Sequence, residues 1–501
     1  MWIPAKRQFP TIMFRLIVQF GSLYVCLGLA FLIAPGIALA QDSQPVAPVA
    51  RIESSQQTKT PEPVARGPAD DSAEEEPVTL FPHSDTSRYW ISGQANVILQ
   101  WHSAFTSPYS GKNSLKAAAE NDTSKVYTLF LGYELTHTTE VFLDIESAGG
   151  HGIGAAYGLA GFTNLDVVRN PTLGEIPYMA RVMIRQIIPL SSERVEADRD
   201  QFHLARSLPA RRIEFRFGKM GMADFFDLNS FGSDSHLQFL NWTVDNNGAY
   251  DYAANTRGYT DGAIVEYDDH WITARFGEML MPKVANGIHL DADIARARAE
   301  NLELEFRGNS IAHRAGVVRV LSYLNHADMG NYREAIENYF ADGEVGTPDI
   351  IATRRQGRHK FGFGLNWEQE IAPQISLFGR LGWSDGRNES FAYTEVDRTL
   401  EIGAFTKGDR WHRRNDRAGV AFVVNGIVAA HQEYLSLGGL GFLLGDGGLT
   451  YGPEKIFEGF YTAHIWRGFF ASFHIQHINN PGYNQARGPV TVPGLRFHTE
   501  F

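Results

Sequence analysis

The chain has 501 residues and a single cysteine, Cys26, so no intramolecular disulfide and no cysteine-built metal site can organise it. Positive charge is also short: 45 Lys and Arg stand against 57 Asp and Glu, a formal net charge of -12, which argues against nucleic acid as a partner. Past Ala40 no apolar run approaches the roughly twenty residues that a helix needs to cross a bilayer. Any crossing by the later chain must therefore use strands. What the chain does have is 49 Gly, 33 Phe, 19 Tyr and 9 Trp at a mean hydropathy of only -0.23. Abundant aromatics and glycines in a polar background suit an all-β protein with many turns and aromatic girdles.

At the N-terminus Lys6, Arg7 and Arg15 precede an apolar run from Leu16 to Ala40 that ends Ile37-Ala38-Leu39-Ala40. This predicts a secretory signal peptide over residues 1–40 with an Ala-x-Ala site. The alternative, a permanent anchor, fits less well with Pro35-Gly36 and the small residues at the end of the run. Cleavage would remove Cys26 and the three cations, taking the net charge from -12 to -15. Residues 41–87 are rich in Pro, Ser, Gln and acid, including Asp70-Asp71 and Glu74-Glu75-Glu76. With too few large apolar side chains to bury, they read as a disordered leader, with a tether for a periplasmic partner as the functional alternative.

From Arg88 the pattern has period two. Tyr89, Ile91, Gly93, Ala95, Val97, Leu99 and Trp101 alternate with Trp90, Ser92, Gln94, Asn96, Ile98 and Gln100. A strand puts these sets on opposite faces, one apolar and aromatic at both ends, the other mostly polar. The same alternation recurs at Ile213-Phe215-Phe217, Leu302-Leu304-Phe306, Phe361-Phe363-Leu365-Trp367, Leu377-Gly379-Leu381-Trp383 and Phe469-Ala471-Phe473-Ile475. A soluble sandwich would bury one face of short strands; segments of about nine to eleven residues instead match tilted outer-membrane strands. Some fifteen to seventeen such segments, with even-numbered closure, predict an all-β transmembrane antiparallel barrel of about 16 strands over residues 88–501. A barrel that wide encloses an aqueous lumen. The last residue, Phe501, is an outward aromatic in register with Leu495 and Phe497, opposite Arg496, His498 and Glu500.

Between the strands lie Arg212-Ile213-Glu214-Phe215-Arg216-Phe217-Gly218-Lys219 with Asp224-Phe225-Phe226-Asp227, then Asn325-His326-Ala327-Asp328-Met329-Gly330-Asn331-Tyr332. Further on come Lys360-Phe361-Gly362-Phe363-Gly364-Leu365-Asn366, Gly445-Asp446-Gly447-Gly448-Leu449-Thr450-Tyr451-Gly452-Pro453-Glu454 and Asn480-Pro481-Gly482-Tyr483-Asn484. This ordered set resembles the carbohydrate-selective porin family (OprB-like). The resemblance implies a passive outer-membrane porin of a Gram-negative bacterium for glucose-like monosaccharides and polyols, with small sugars and membrane lipid as its partners and no cofactor. The terminal aromatic resembles the signal read by barrel-assembly machinery.

The alternation nominates inward residues: Arg181, Arg185, Arg212, Glu214, Arg216, Glu303, Glu305, Arg307, Arg319, Arg380, His474 and Gln476. Arg181 and Arg185 are read as sharing a face with Met179 and Met183, opposite Tyr178, Ala180, Val182 and Ile184. Inward charges of both signs either offer a transverse field and hydrogen bonds to sugar hydroxyls or pair with each other and stiffen the wall. The connection from Met220 to Asn255 is too long for a hairpin and mixes Phe225, Phe226, Phe231, Phe239 and Trp242 with Asp and Asn, so it is expected to fold partly into the lumen; an extracellular cap is the alternative. Enzyme signals are weak. Gly382-Trp383-Ser384-Asp385-Gly386 fits a nucleophile elbow but lacks the helix that must follow. His474 and His477, three apart on a strand, point to opposite faces and cannot share a metal. Gly150-His151-Gly152-Ile153-Gly154 lacks the helix of a phosphate-binding turn.

Overall fold

In the computed structural model residues 78–84, 86–167, 173–309 and 311–501 are described. The signal peptide expected over residues 1–40 and the leader as far as residue 77 lie outside the described residues. In chain order the strands are β1 (Tyr89–His102), β2 (Glu120–Thr136), β3 (Thr139–Gly150), β4 (Tyr178–Pro189), β5 (Arg194–Glu196), β6 (Ser207–Pro209), β7 (Arg212–Met220), β8 (Thr260–Asp268), β9 (Ile272–Leu280), β10 (Arg298–Asn309), β11 (Ala315–Met329), β12 (Arg355–Ala372), β13 (Ile375–Ser384), β14 (Arg398–Lys407), β15 (Arg417–Gly426), β16 (Glu454–Trp466), β17 (Phe469–Asn479) and β18 (Val490–Glu500). Strands β5 and β6 form a small hairpin between β4 and β7. The other sixteen close into one antiparallel barrel in which chain neighbours are barrel neighbours and β1 pairs with β18. The expected all-β barrel and its strand number are both present.

Closure is sealed at the C-terminus. Gly93 and Phe501 exchange backbone hydrogen bonds of 2.8 and 2.9 Å, and a Cβ on Gly93 would stand 2.4 Å from the Phe501 ring. Only glycine leaves that ring its place. Just before β1, the Leu80 N–H donates to the Glu500 carbonyl at 2.9 Å, so the segment ahead of the first strand runs along the barrel end.

Faces follow the period-two pattern. Phe215, Phe217, Phe363, Leu381 and Phe497 stand exposed on the outside, while Arg212, Glu214, Arg380 and Arg496 are buried inside. Closure leaves the sixteen barrel strands with no free edge, the arrangement that lipid requires. One expected face is corrected. Between β3 and β4 the register slips, Asp144 facing Arg181 but Ile145 facing Met179, so Ala180 is an inserted bulge residue. Met179 therefore points outward and Ala180 inward, the reverse of strict alternation. Strand lengths are also corrected, from nine residues in β7 to 18 in β12. The first residues of β12, Arg355-Gln356-Gly357, are exposed and polar, so the sheet continues past the apolar band, where a strand needs no lipid-facing side chains.

The two ends of the barrel differ. One has two-residue turns at 137–138, 373–374 and 467–468; the other has long connections, among them 151–177, 221–259, 330–354 and 427–453. Among the described residues these long connections carry three short α-helices, α1 (Trp242–Asp245), α2 (Tyr332–Ala341) and α3 (Ala429–Ser436). Helix α2 starts where Asn331 accepts the Glu334 N–H, and its Tyr332 ring stacks on His431 of α3 at 4.1 Å.

Candidate functional site: a loop-built cavity in the lumen

All twelve nominated residues lie on the inner side of the barrel, and all but Arg307 are buried. Most, however, are spent on one another. Arg185 forks onto Glu214 at 2.7 and 2.8 Å and reaches Glu140 at 2.9 Å. Glu214 also takes Arg212 and Arg216, each at 2.5 Å, and Arg212 reaches Asp268 at 2.6 Å. Arg307 bonds Asp268 and Glu305, Arg319 joins Glu305 at 2.8 Å to Glu368 at 3.2 Å, and Arg275 reaches Glu303 at 2.7 Å. Arg380 spans Asp227 and Glu401 at 2.9 and 3.0 Å. Of the two fates open to such charges, the wall shows pairing. Buried ions are retained only where each is matched in this way.

The same charges hold the loops. Residues 221–259, joining β7 to β8, run inside the barrel and are almost entirely buried. The connection lies in the lumen, as its length and composition lead one to expect. Glu303 accepts the Asp227 N–H, Glu368 that of Ser230, and Glu458 those of Leu240 and Asn241, at 2.6 to 3.0 Å. Arg380 donates to the carbonyls of Val244 and Asp245, and Arg496 to that of Ser235. Connection 151–177 enters beside it: Glu454 accepts the Ala160 and Gly161 N–H groups, and Gln476 donates to Thr163 O while accepting from Asn241. His474 is paired with Glu458 at 3.2 Å. Wall carboxylates thus collect loop N–H groups, wall arginines collect loop carbonyls, and the irregular backbone at membrane depth is satisfied by protein.

Between these loops and the wall is a cavity of about 210 Å³. One side is aromatic: Trp242 lies parallel to Tyr393 with centroids 5.5 Å apart, and Tyr393 stacks on Tyr252 at 4.9 Å. The lining also includes Tyr259, Asp245, Thr256 and Arg257, and the Arg257 guanidinium sits 3.8 Å from the Tyr178 ring centre. Four of its lining residues each hold one buried polar atom with no hydrogen-bond partner in the protein: Asp245 Oδ1, Thr256 Oγ1, an Nη of Arg257 and the Tyr393 hydroxyl. Such groups are costly unless something completes them. Burial pushes the Asp245 carboxyl well above the usual range, against the pull of Arg380. Burial likewise holds the Tyr252, Tyr259 and Tyr393 phenols above their ordinary range.

Of the twelve nominated residues only Arg181 lines this cavity, and it is itself forked onto Asp224 at 2.6 and 2.7 Å. Of the five loop aromatics singled out, Trp242 lines it; Phe225 and Phe226 pack under Arg216 and Arg275, and Phe239 against Phe378 and Phe460. Strict alternation also misplaces Tyr178, which lies in the lining because of the β4 bulge. Arg257, Thr256 and Tyr393 sit on loops and were not foreseen. Ser384 closes β13 with its hydroxyl on Asp397 at 3.2 Å and the chain next enters β14, and His477 lies on the outer face beside Thr491.

The sequence model of the carbohydrate-selective porin, OprB family, matches residues 196–501. The chain belongs to the OprB family of carbohydrate-selective porins. The high-pH structure of Pseudomonas putida OprB is similar to this porin at a TM-score of 0.63 and 14% identity, covering 82% of this chain and 94% of that one. Its low-pH structure gives 0.45 and 11% over 82% and 92%, and the Acinetobacter baumannii outer membrane channel DcaP 0.44 and 9% over 82% and 97%. No curated protein matches the porin in sequence. Family and fold are those of a channel, and they place the porin among outer-membrane barrels of Gram-negative bacteria.

Proposed function

We propose that this porin lets monosaccharides of the glucose class and small polyols diffuse passively across the outer membrane into the periplasm, with its short turns at the periplasmic end. The observation that carries this reading is the cavity. Its lining residues Asp245, Thr256, Arg257 and Tyr393 carry donors and acceptors of the kind that sugar hydroxyls satisfy, and its Trp242, Tyr252 and Tyr393 wall offers apolar surface to the C–H face of a sugar ring. The paired wall charges act as scaffold, and Phe501 as the outward aromatic presented to the barrel-assembly machinery.

Proteoliposome swelling tests the substrate class: glucose and a linear polyol should enter quickly and a disaccharide slowly. Equal entry of all three would remove the selectivity. A second reading, a closed barrel with a structural or enzymatic role, draws on the dense filling of the lumen. Conductance in planar bilayers separates the two, since an open pore gives discrete steps and a plugged barrel none.

A further inference from the structure

The lipid-facing side of β14 to β17 is not uniformly bulky. Ala404, Ala418 and Gly459 form the floor of an open groove of about 600 Å³, between walls that include Phe457, Tyr461 and Phe473. The register puts Ala404, Val420, Gly459 and Ile475 in one row across the four strands. At the short-turn end the groove is closed by the turn after β14, where Trp411 donates its indole N–H to the Tyr461 hydroxyl at 3.2 Å. Beside it Arg410 lines the groove and is exposed. Its neighbours Arg413 and Arg414 lie 2.5 and 3.9 Å from Asp416 and Asp409. Arg410 has no ion pair among the described residues.

We propose that this groove holds one acyl chain of an anionic phospholipid of the periplasmic leaflet, with its phosphate on Arg410. A narrow apolar trough floored by small residues takes a flexible chain, a tryptophan marks the headgroup level, and a lone guanidinium is the group that grips phosphate. A second copy of this chain is a poorer fit. A two-fold contact through the same patch would bring Arg410 against Arg410, with the adjacent Asp409 already turned to Arg414 at 3.9 Å.

The test is native mass spectrometry of the detergent-purified porin, titrated with phosphatidylglycerol or phosphatidylethanolamine of identical acyl chains. One phosphatidylglycerol should be retained about fivefold better, the discrimination that one arginine supplies at an anionic surface. Arg410→Glu should abolish that preference. Gly459→Leu should weaken retention of both lipids, because a Cβ there meets nothing closer than 3.7 Å and fills the trough without disturbing the strand. Heat-modifiability on gels confirms that each variant is a folded barrel; Ala418→Leu replaces Gly459→Leu if the latter fails to assemble. Equal retention of both lipids by the wild type, retention indifferent to these variants, or a dimer that excludes lipid would each overturn the proposal.

Discussion

The inner wall of the barrel and the cavity within it are both polar, yet they differ in one respect. On the wall between β3 and β14 nearly every charge is matched, Arg185 between Glu140 and Glu214, Arg319 between Glu305 and Glu368, Arg380 between Asp227 and Glu401. In the cavity, Asp245 and Arg257 have no ion pair among the described residues, although buried polar atoms without a hydrogen-bond partner occur in both places, on Arg216, Arg319 and Glu401 of the wall as well as on Thr256 and Tyr393 of the cavity. Matched groups have little left to offer a solute; unmatched ones are stabilised only when a solute or water completes them. Charge in a lumen is therefore not the same as a solute pathway. The strands supply rigidity, and the loops they grip supply recognition.

Breaking the wall should have the largest effect. Arg185→Ala leaves Glu140 buried without its arginine, while Glu214 keeps Arg212 and Arg216, and a loss of about 3–5 kcal/mol is expected, read as a lower urea midpoint of the detergent-folded barrel. Adding Glu140→Gln should recover much of it; no recovery would mean that the arginine matters for shape rather than charge. Next comes the outer face. Phe215 is exposed on β7, and Phe215→Arg should cost about 2–4 kcal/mol near the bilayer midplane, whereas a silent change would reverse the assignment of faces.

The cavity should respond in transport rather than stability. Burial holds the Asp245 proton to higher pH than in a free carboxyl, so the cavity gains negative charge only as pH rises through that raised value. Cation preference, read as the reversal potential under a salt gradient, should therefore climb towards alkaline pH, more steeply in the wild type than in Asp245→Asn. A flat wild-type profile would show that Asp245 does not face the current.

The contrast between wall and cavity also explains what the sequence could reveal. A strand repeats every two residues, so Arg212, Glu214 and Arg216 announce their common face, and sixteen repetitions make the barrel and its strand number readable. Where β4 takes in an extra residue the rule fails, as at Met179 and Ala180, because a bulge leaves no mark in a short run of mixed apolar residues. The lumen loop was legible from its length and its aromatics, since a connection like 221–259 needs somewhere to put Trp242 and Phe239. Arg257 and Tyr393 were not. They converge only through folding of two connections distant in sequence, and neither carries a periodic signal.

Glucose titration of the single-channel current tests most directly whether recognition lies in the loop-built cavity. Arg257→Ala should raise the half-saturating glucose concentration roughly tenfold or more and Tyr393→Phe about fivefold, as loss of a charged and a neutral hydrogen bond would, while Glu305→Gln in the wall leaves it unchanged. Unchanged saturation in both cavity variants, with a shift in the wall variant, would contradict it and return the solute to the charged strands.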